Sequence, residues 1–385
     1  MTGIPRASTA IVGAALGGMG TGEGRTSLEI LSEAVHKALG DAGLKLGDVD
    51  GLFTGSSYHY MPTLSTAEYL GIQPRFSDSN MVGGSSFHSH LIPAALALNA
   101  GMIDVALICY GSNQGSGFGR LKSMSETQPF EMPYAPRYPI SSYAFAAARH
   151  MYEFGTTRED LAEVAVAARK WAQLNPEAQA RDPLTIEDVL SSRMISDPFT
   201  ERDCCLVTDG GGALVMVRSE RARQAKQPPV YLLGIASAHW HRQIMCMPDL
   251  TTTAATETGP RAFGMAGVTP GDVDVLELYD AFTINAILFL EDLGFCKKGE
   301  GGAAVRDGAI APGGRWPVNT NGGGLSCCHP GMYGIFTLVE AVRQLRGQAG
   351  ERQIDGAEIA VAHGNGGVLS SQVTAVLGTA ATIQG

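Results

Sequence analysis

Residues 43–50 read GLKLGDVD and residues 267–274 read GVTPGDVD, identical at five of eight positions (Gly, Gly, Asp, Val, Asp). Each octamer follows a stretch with helical spacing of apolar residues and leads into an apolar, strand-like run. Before the first lies 27–42, and after it 51–54; after the second lies 275–278. A looser echo pairs 104–111 with 358–364, each an apolar run ending in glycine. Self-similarity at half the chain length predicts a duplicated α/β unit. The expected division is an N-terminal half over 1–225, carrying an inserted loop region at about 115–200, and a C-terminal half over 226–385.

The rest of the chain fits that rhythm. Apolar strand-like runs at 10–15 (AIVGAA), 105–110 (VALICY), 230–236 and 359–362 alternate with helix-like stretches such as 94–100. Continuous apolar strands between helices indicate a sheet covered on both faces. The stretch 120–142, with Pro129, Pro133, Pro136 and Pro139, is expected to be a long irregular excursion. The polar run 218–229 marks the restart of the pattern.

Composition narrows the function classes. The 385 residues carry 38 acidic and 28 basic side chains, a formal net charge of -10, without Lys/Arg blocks. That balance argues against a nucleic-acid partner. With 44% hydrophobic and 17% charged residues, a large core is expected. No apolar stretch reaches membrane-span length, and the first thirty residues lack a basic start followed by an apolar signal core, so a cytoplasmic protein is expected. The seven cysteines, at 109, 204, 205, 246, 296, 327 and 328, include two adjacent pairs, which suits reduced thiols; no zinc pattern is present and no metal is expected.

Four places concentrate glycine with polar or reactive side chains. Asn80-Met-Val-Gly-Gly-Ser-Ser86 is a glycine-serine turn entering a helix, where free N–H groups favour an anionic oxygen; a simple capped turn reads the same way. Glu277-Leu-Tyr-Asp-Ala-Phe282 delivers Tyr279 and Asp280 to the carboxyl end of a strand, where ligands of parallel sheets gather; the plainer alternative is a core tyrosine and a helix-capping Asp. Asn319-Thr-Asn-Gly-Gly-Gly-Leu-Ser-Cys-Cys-His-Pro-Gly-Met-Tyr-Gly334 places His329 on a tight turn before a helix, suited to an oxyanion or a proton. Its Cys327 and Cys328 also read as small buried hydrophobes. His363-Gly-Asn-Gly-Gly367 sets a histidine at a strand end, an acid/base candidate.

These four places, in this order, resemble the thiolase superfamily, specifically the sterol-carrier-protein-type thiolases and their lipid-transfer-protein-like aldolase relatives. Supporting stretches are Ser192-Arg-Met-Ile-Ser-Asp-Pro-Phe199, Thr208-Asp-Gly-Gly-Gly-Ala213, Asn321-Gly-Gly-Gly324 and His329-Pro330. The resemblance implies an α/β thiolase-like fold: two duplicated βαβ halves in five α-β-α-β-α layers. It also implies a homodimer and a coenzyme A thioester as substrate, with no bound cofactor. The nucleophilic cysteine of thiolases occupies the position before Gly84, which here is Gly83. The family's Asn-Glu-Ala-Phe motif is Tyr279-Asp280-Ala281-Phe282, the second reactive cysteine is replaced by His363, and His329 is retained.

Without the nucleophile, the chemistry left is carbon–carbon bond cleavage through a thioester enolate: retro-aldol cleavage of a 3-hydroxyacyl-CoA. His329 and the turn Gly83, Gly84 and Ser85 would hold the enolate oxygen, with Gly366 and Gly367 beside the substrate; Tyr279 or His363 would take the hydroxyl proton, with Asp280 beside them. Tyr333 and Cys328 are further candidates. The Tyr-Asp-x-Phe motif and Glu340-Ala-Val-Arg-Gln-Leu-Arg-Gly347 resemble aldolases that cleave CoA-activated steroid side chains with a small zinc-ribbon/OB-fold partner, in a heterotetramer. Two other readings stand beside it: an acetyl-CoA acetyltransferase-like condensing enzyme using Cys327, Cys328 or no covalent intermediate, and a non-catalytic acyl-CoA or lipid-binding subunit.

Overall fold

The computed structural model describes residues 4–20, 24–118 and 129–383. Its strands are β1 (Thr9–Gly20), β2 (Gly51–Thr54), β3 (Phe76–Asp78), β4 (Ala106–Ser112), β5 (Met194–Ser196), β6 (Phe199–Thr200), β7 (Asp209–Arg218), β8 (Val230–His239), β9 (Val275–Leu278), β10 (Ile359–Gly366) and β11 (Ser371–Gly378). Its helices are α1 (Ser27–Ala42), α2 (Pro62–Leu70), α3 (Ser86–Asn99), α4 (Ile140–Phe154), α5 (Arg158–Gln173), α6 (Ile186–Leu190), α7 (Ser219–Ala222), α8 (Ala255–Ala266), α9 (Thr283–Asp292), α10 (Gly301–Ala304) and α11 (Gly334–Leu345). Apart from the β5–β6 pair, the strands form one sheet in the order β3-β2-β4-β7-β1-β8-β11-β10-β9.

The repeated octamer governs both halves of that sheet. Gly43 and Gly267 end α1 and α8 in the left-handed conformation, φ 72° and 70°. A short turn follows in each half, closed by Asp48 accepting from the Lys45 N–H (2.7 Å) and Asp272 from the Thr269 N–H (2.8 Å). The last aspartate ties the next strand in place. Asp50 accepts from the N–H groups of Asp104 and Val105, leading into β4, and Asp274 from those of Glu358 and Ile359, leading into β10. The GDVD signature is thus two backbone-locking carboxylates, used twice.

Packing repeats as well. A Cβ on Gly13 of β1 would lie 2.2 Å from the Ala38 carbonyl of α1, and one on Gly234 of β8 would lie 2.2 Å from the Ala262 carbonyl of α8. Glycine under an alanine-rich helix face lets helix and sheet approach closely. Helices α3 and α11 touch each other and strands of both half-sheets, whereas α1 lies on β1, β4 and β7 and α8 on β8 and β11. The layers therefore run α, β, α, β, α, as the thiolase-like fold requires. The two half-sheets meet through two residue pairs, Ala10 with Tyr231 and Ile11 with Val230.

Some expectations needed correction. Strand β7, which contains the 210–212 glycine cluster, was not among the expected strands. Strand β11 and the short edge strand β3 were also not anticipated. Of the irregular excursion 120–142, residues 120–128 lie outside the described residues, and α4 already begins at Ile140. Among the described residues no helix is long and apolar enough to cross a membrane.

Candidate active site

Among the segments that line a cavity of about 450 Å³ are the turn that opens α3, the strand end carrying Tyr279, the turn carrying His329 and the turn between β10 and β11. This volume suits a bound small molecule. A second cavity, of about 630 Å³, is lined by Arg343, Arg346 and Arg352, but these are already in ion pairs with Glu177, Asp41 and Glu340. The first cavity holds the reactive side chains.

Tyr279 is placed by its backbone. Its N–H continues the β9–β10 pairing by donating to the His363 carbonyl (3.0 Å), and Asn285 donates to its carbonyl (3.2 Å). Its ring then crosses the start of α3, where a Cβ on Gly84 would lie 2.0 Å from a ring carbon and 2.5 Å from the hydroxyl. The Tyr333 N–H donates to the hydroxyl oxygen (3.1 Å), and His329 Nε2 lies 3.0 Å from it. Burial holds the phenol well above its usual range, so Tyr279 is a hydrogen-bond donor at neutral pH and not a base.

His329 is placed by Asp280. The carboxylate accepts from the Gly324 N–H (2.6 Å) and the Leu325 N–H (3.4 Å), holding the helical turn Gly323–Cys327 that precedes the histidine. A Cβ on Gly323 would stand 2.0 Å from Asp280 Oδ2, which accounts for glycine there. Burial raises the Asp280 carboxyl to about 7 and lowers the His329 imidazole to about 4. His329 is therefore neutral at physiological pH. Its Nδ1 is buried without a hydrogen-bond partner among the described residues. The Tyr333 N–H can only donate, so the Tyr279–His329 contact carries one proton, on either partner. With that proton on Nε2, the Tyr279 O–H is released toward the cavity.

Of the residues singled out from sequence, Tyr279, His329, Gly83, Gly84, Gly366 and Gly367 line the cavity, and the others do not. His363 is fully buried, with Nδ1 2.9 Å from Thr374 Oγ1 and Nε2 2.9 Å from Gln372 Oε1, so both nitrogens are occupied away from the cavity. Its side chain is linked to the cavity wall through a chain: Gln372 donates to Asn365, and Asn365 donates to the hydroxyl of Tyr143. Asp280 neither faces the cavity nor caps α9, because its oxygens serve the 323–327 turn. The Ser85 hydroxyl donates to the Val82 carbonyl (3.1 Å), and its oxygen lies 2.7 Å from Ser371 Oγ. The Tyr333 hydroxyl donates to Asn321 (2.8 Å), away from the cavity; its ring packs against Tyr279 and His329, and its backbone N–H supplies the hydrogen bond to the site. Cys328 is fully buried outside the cavity, and burial pushes its thiol far above the range of a nucleophilic thiolate.

Gly83 has φ +77°, and a Cβ there would stand 2.6 Å from the Gly367 nitrogen and 2.8 Å from the Gly366 Cα. The backbone at this position is closed to a side chain. The cavity wall also contains side chains to which the sequence reading gave no role: Tyr143, Cys205, His239, His241 and Asn365, the last within a stretch it had singled out. His239 and His241 had a usable signal, a His-x-His following an apolar strand, the placement that drew attention to Tyr279. Tyr143 and Cys205 had none. The Cys205 thiol is held well above its ordinary value by burial and by Cys204.

Comparison with known proteins finds relatives along most of the chain. Residues 236–379 match the thiolase C-terminal domain-like family. The chain is 36% identical to an acetyl-CoA acetyltransferase of Methanothermobacter thermautotrophicus over 88% of this chain and 91% of that protein. It is 36% identical to the 17-hydroxy-3-oxo-4-pregnene-20-carboxyl-CoA lyase of Mycobacterium tuberculosis, again over 88% and 91%. The solved Ltp2-ChsH2(DUF35) aldolase superposes with a TM-score of 0.88 at 32% identity, over 98% of each chain.

Proposed function

Because this chain belongs to the thiolase superfamily, in the branch of sterol-carrier-protein-type thiolases and lipid-transfer-protein-like aldolases, we propose that it cleaves a 3-hydroxyacyl-CoA by a retro-aldol reaction through a thioester enolate. The observation that carries this reading is the exchange at the start of α3. Where the family resemblance puts an acyl-accepting cysteine stands Gly83, with no room for a Cβ, and the ring of Tyr279 fills the space over Gly84. The chain is also similar to an acetyltransferase, but covalent acyl transfer needs a thiolate in the cavity; Cys327 and Cys328 lie outside it, and burial holds the thiol of Cys205, which lines it, well above its ordinary value.

In the proposed reaction, the Cα–Cβ bond breaks and its electron pair passes into the enolate, while the β-hydroxyl loses its proton and becomes a ketone or aldehyde. Tyr279, as a neutral phenol backed by His329 and the Tyr333 N–H, donates to the thioester oxygen as charge develops. A preorganised donor in a dry site is worth a factor of about 10²–10³ in rate. The acyl group is a branched or steroidal side chain, a reading supported by the similar lyase of M. tuberculosis. The chain works with a small zinc-ribbon/OB-fold partner, a reading supported by the likeness to the Ltp2-ChsH2(DUF35) aldolase, and pairs as a homodimer, which rests on the family resemblance alone. The test is mass-spectrometric product analysis with a panel of 3-hydroxyacyl-CoA thioesters, branched and steroidal included, with and without such a partner and without free CoA. A shortened acyl-CoA plus a carbonyl compound is expected; no cleavage of any thioester overturns the proposal.

A further inference from the structure

Retro-aldol cleavage needs a group to accept the β-hydroxyl proton, and the two expected acceptors are not arranged for it. Tyr279 is held protonated, and His363 is sealed behind the cavity. The hydrogen-bond pattern of the cavity wall singles out another imidazole. His239 ends β8, directly opposite Ser371 of β11, and lines the cavity while remaining exposed to solvent.

Its tautomer follows from a chain of four groups. The Val82 carbonyl can only accept, so the Ser85 hydroxyl donates to it (3.1 Å). Having spent its proton, Ser85 Oγ accepts from the Ser371 hydroxyl (2.7 Å). Ser371 Oγ must then accept from His239 Nδ1 (2.9 Å), which places the imidazole hydrogen on Nδ1. Nε2 is left with an open lone pair and has no hydrogen-bond partner among the described residues. His241 has the reverse arrangement: its Nε2–H donates to the Val368 carbonyl (2.9 Å), and its Nδ1 is buried.

The segment bearing His239 is held firmly. The Trp240 N–H donates to the Ser370 carbonyl (3.2 Å), and the Ser370 hydroxyl to the Arg242 carbonyl (3.1 Å). His239 and Tyr279 also attach to the same turn: Tyr279 lies on Gly84, and His239 is tied through Ser371 to the adjacent Ser85.

From this geometry we infer that His239 is the general base of the cleavage and Ser371 the positioning residue that fixes its tautomer. This rests on the retro-aldol reading above. His239 Nε2 takes the β-hydroxyl proton, the O–H pair becomes the second bond of the product carbonyl, and the Cα–Cβ pair becomes the enolate. The enolate is then protonated at Cα, from the imidazolium just formed or from water. No net proton, electron or co-reactant is consumed.

The experiment measures steady-state cleavage of the 3-hydroxyacyl-CoA panel, with and without the zinc-ribbon partner, for the wild type, His239→Asn, His239→Ala and Ser371→Ala. The Asn side chain retains a donor toward Ser371 and lacks Nε2. A kcat loss of about 10²–10⁴-fold is expected for His239→Asn with KM retained, and imidazole in solution should partly restore His239→Ala. In ¹⁵N NMR of the wild type, the His239 hydrogen should sit on Nδ1, and Ser371→Ala should mix the two tautomers and lower kcat about tenfold. Wild-type cleavage with His239→Asn within threefold of it, and no imidazole effect, would overturn the base assignment and leave the aldolase reading standing. If the wild type cleaves none of the thioesters, both fall together.

Discussion

The hydroxyl of Tyr279 lies 3.0 Å from Nε2 of His329, and its oxygen also accepts the Tyr333 N–H at 3.1 Å. One phenol is thus tied to a neutral imidazole and to the backbone at the start of α11. Both ring systems are buried, so the pair is a weak base and a good hydrogen-bond donor.

Replacing Tyr279 by Phe removes the donor and leaves the Tyr333 N–H buried without a partner. Cleavage should fall at least about 10²-fold, with a stability loss of about 1–3 kcal/mol. Product analysis and thermal unfolding of the same preparation check both. Tyr279→Phe cleaving at the wild-type rate would remove the residue from the mechanism.

Gly84→Ala should act like a partial loss of Tyr279 without touching it. The new methyl would sit 2.0 Å from the Tyr279 ring and must displace it. A folded variant with kcat reduced tenfold or more is expected, by circular dichroism and turnover.

Gly83→Cys should not restore thiolase chemistry. With φ +77° and the Gly367 nitrogen 2.6 Å from the Cβ position, the substitution strains the turn and costs about 1–3 kcal/mol. Intact-mass spectrometry after incubation with acetyl-CoA should show no acyl adduct; a stoichiometric adduct contradicts the geometry.

Cys327→Ala and Cys328→Ala should leave carbon–carbon cleavage within a fewfold of the wild type, since both thiols lie outside the cavity. A loss of turnover with unchanged unfolding temperature would count for the acyl-transfer alternative.

Acid should destabilise the fold through its buried imidazoles. Burial lowers His329 and His363 to about 4, and His88 and His90 to about 3. An unfolded chain protonates histidine near ~6.5, so below that pH it binds protons that the folded state refuses. Stability is full above about 6.5 and is lost as the pH falls toward 4, by up to about 3 kcal/mol for a group such as His363. His363→Gln should reduce the proton uptake on unfolding at pH 5 by about one, measurable from the pH dependence of the unfolding midpoint.

The amino-acid sequence by itself determined the duplicated fold. The GDVD octamers are local devices, a glycine that ends a helix and two aspartates that lock neighbouring backbone, and local devices are written in consecutive residues. Tyr279 and His329 were legible for a similar reason, because a strand end and a glycine-rich turn announce themselves. The glycine-bearing strand β7 was hidden, since its first half is mostly glycine and is fixed by pairing with β1 and β4 on either side, while only Ala213–Val217 bring apolar side chains to the core. The roles within the site were decided by tertiary structure alone. His363 was expected at a strand end but lies inside β10, where the neighbouring strand β11 occupies both its nitrogens, whereas His239 ends β8 and is held on one side only, through Ser371 and the α3 turn, which are distant in the chain. Hydrogen bonding and burial set what a titratable group can do, and both are properties of the folded neighbourhood.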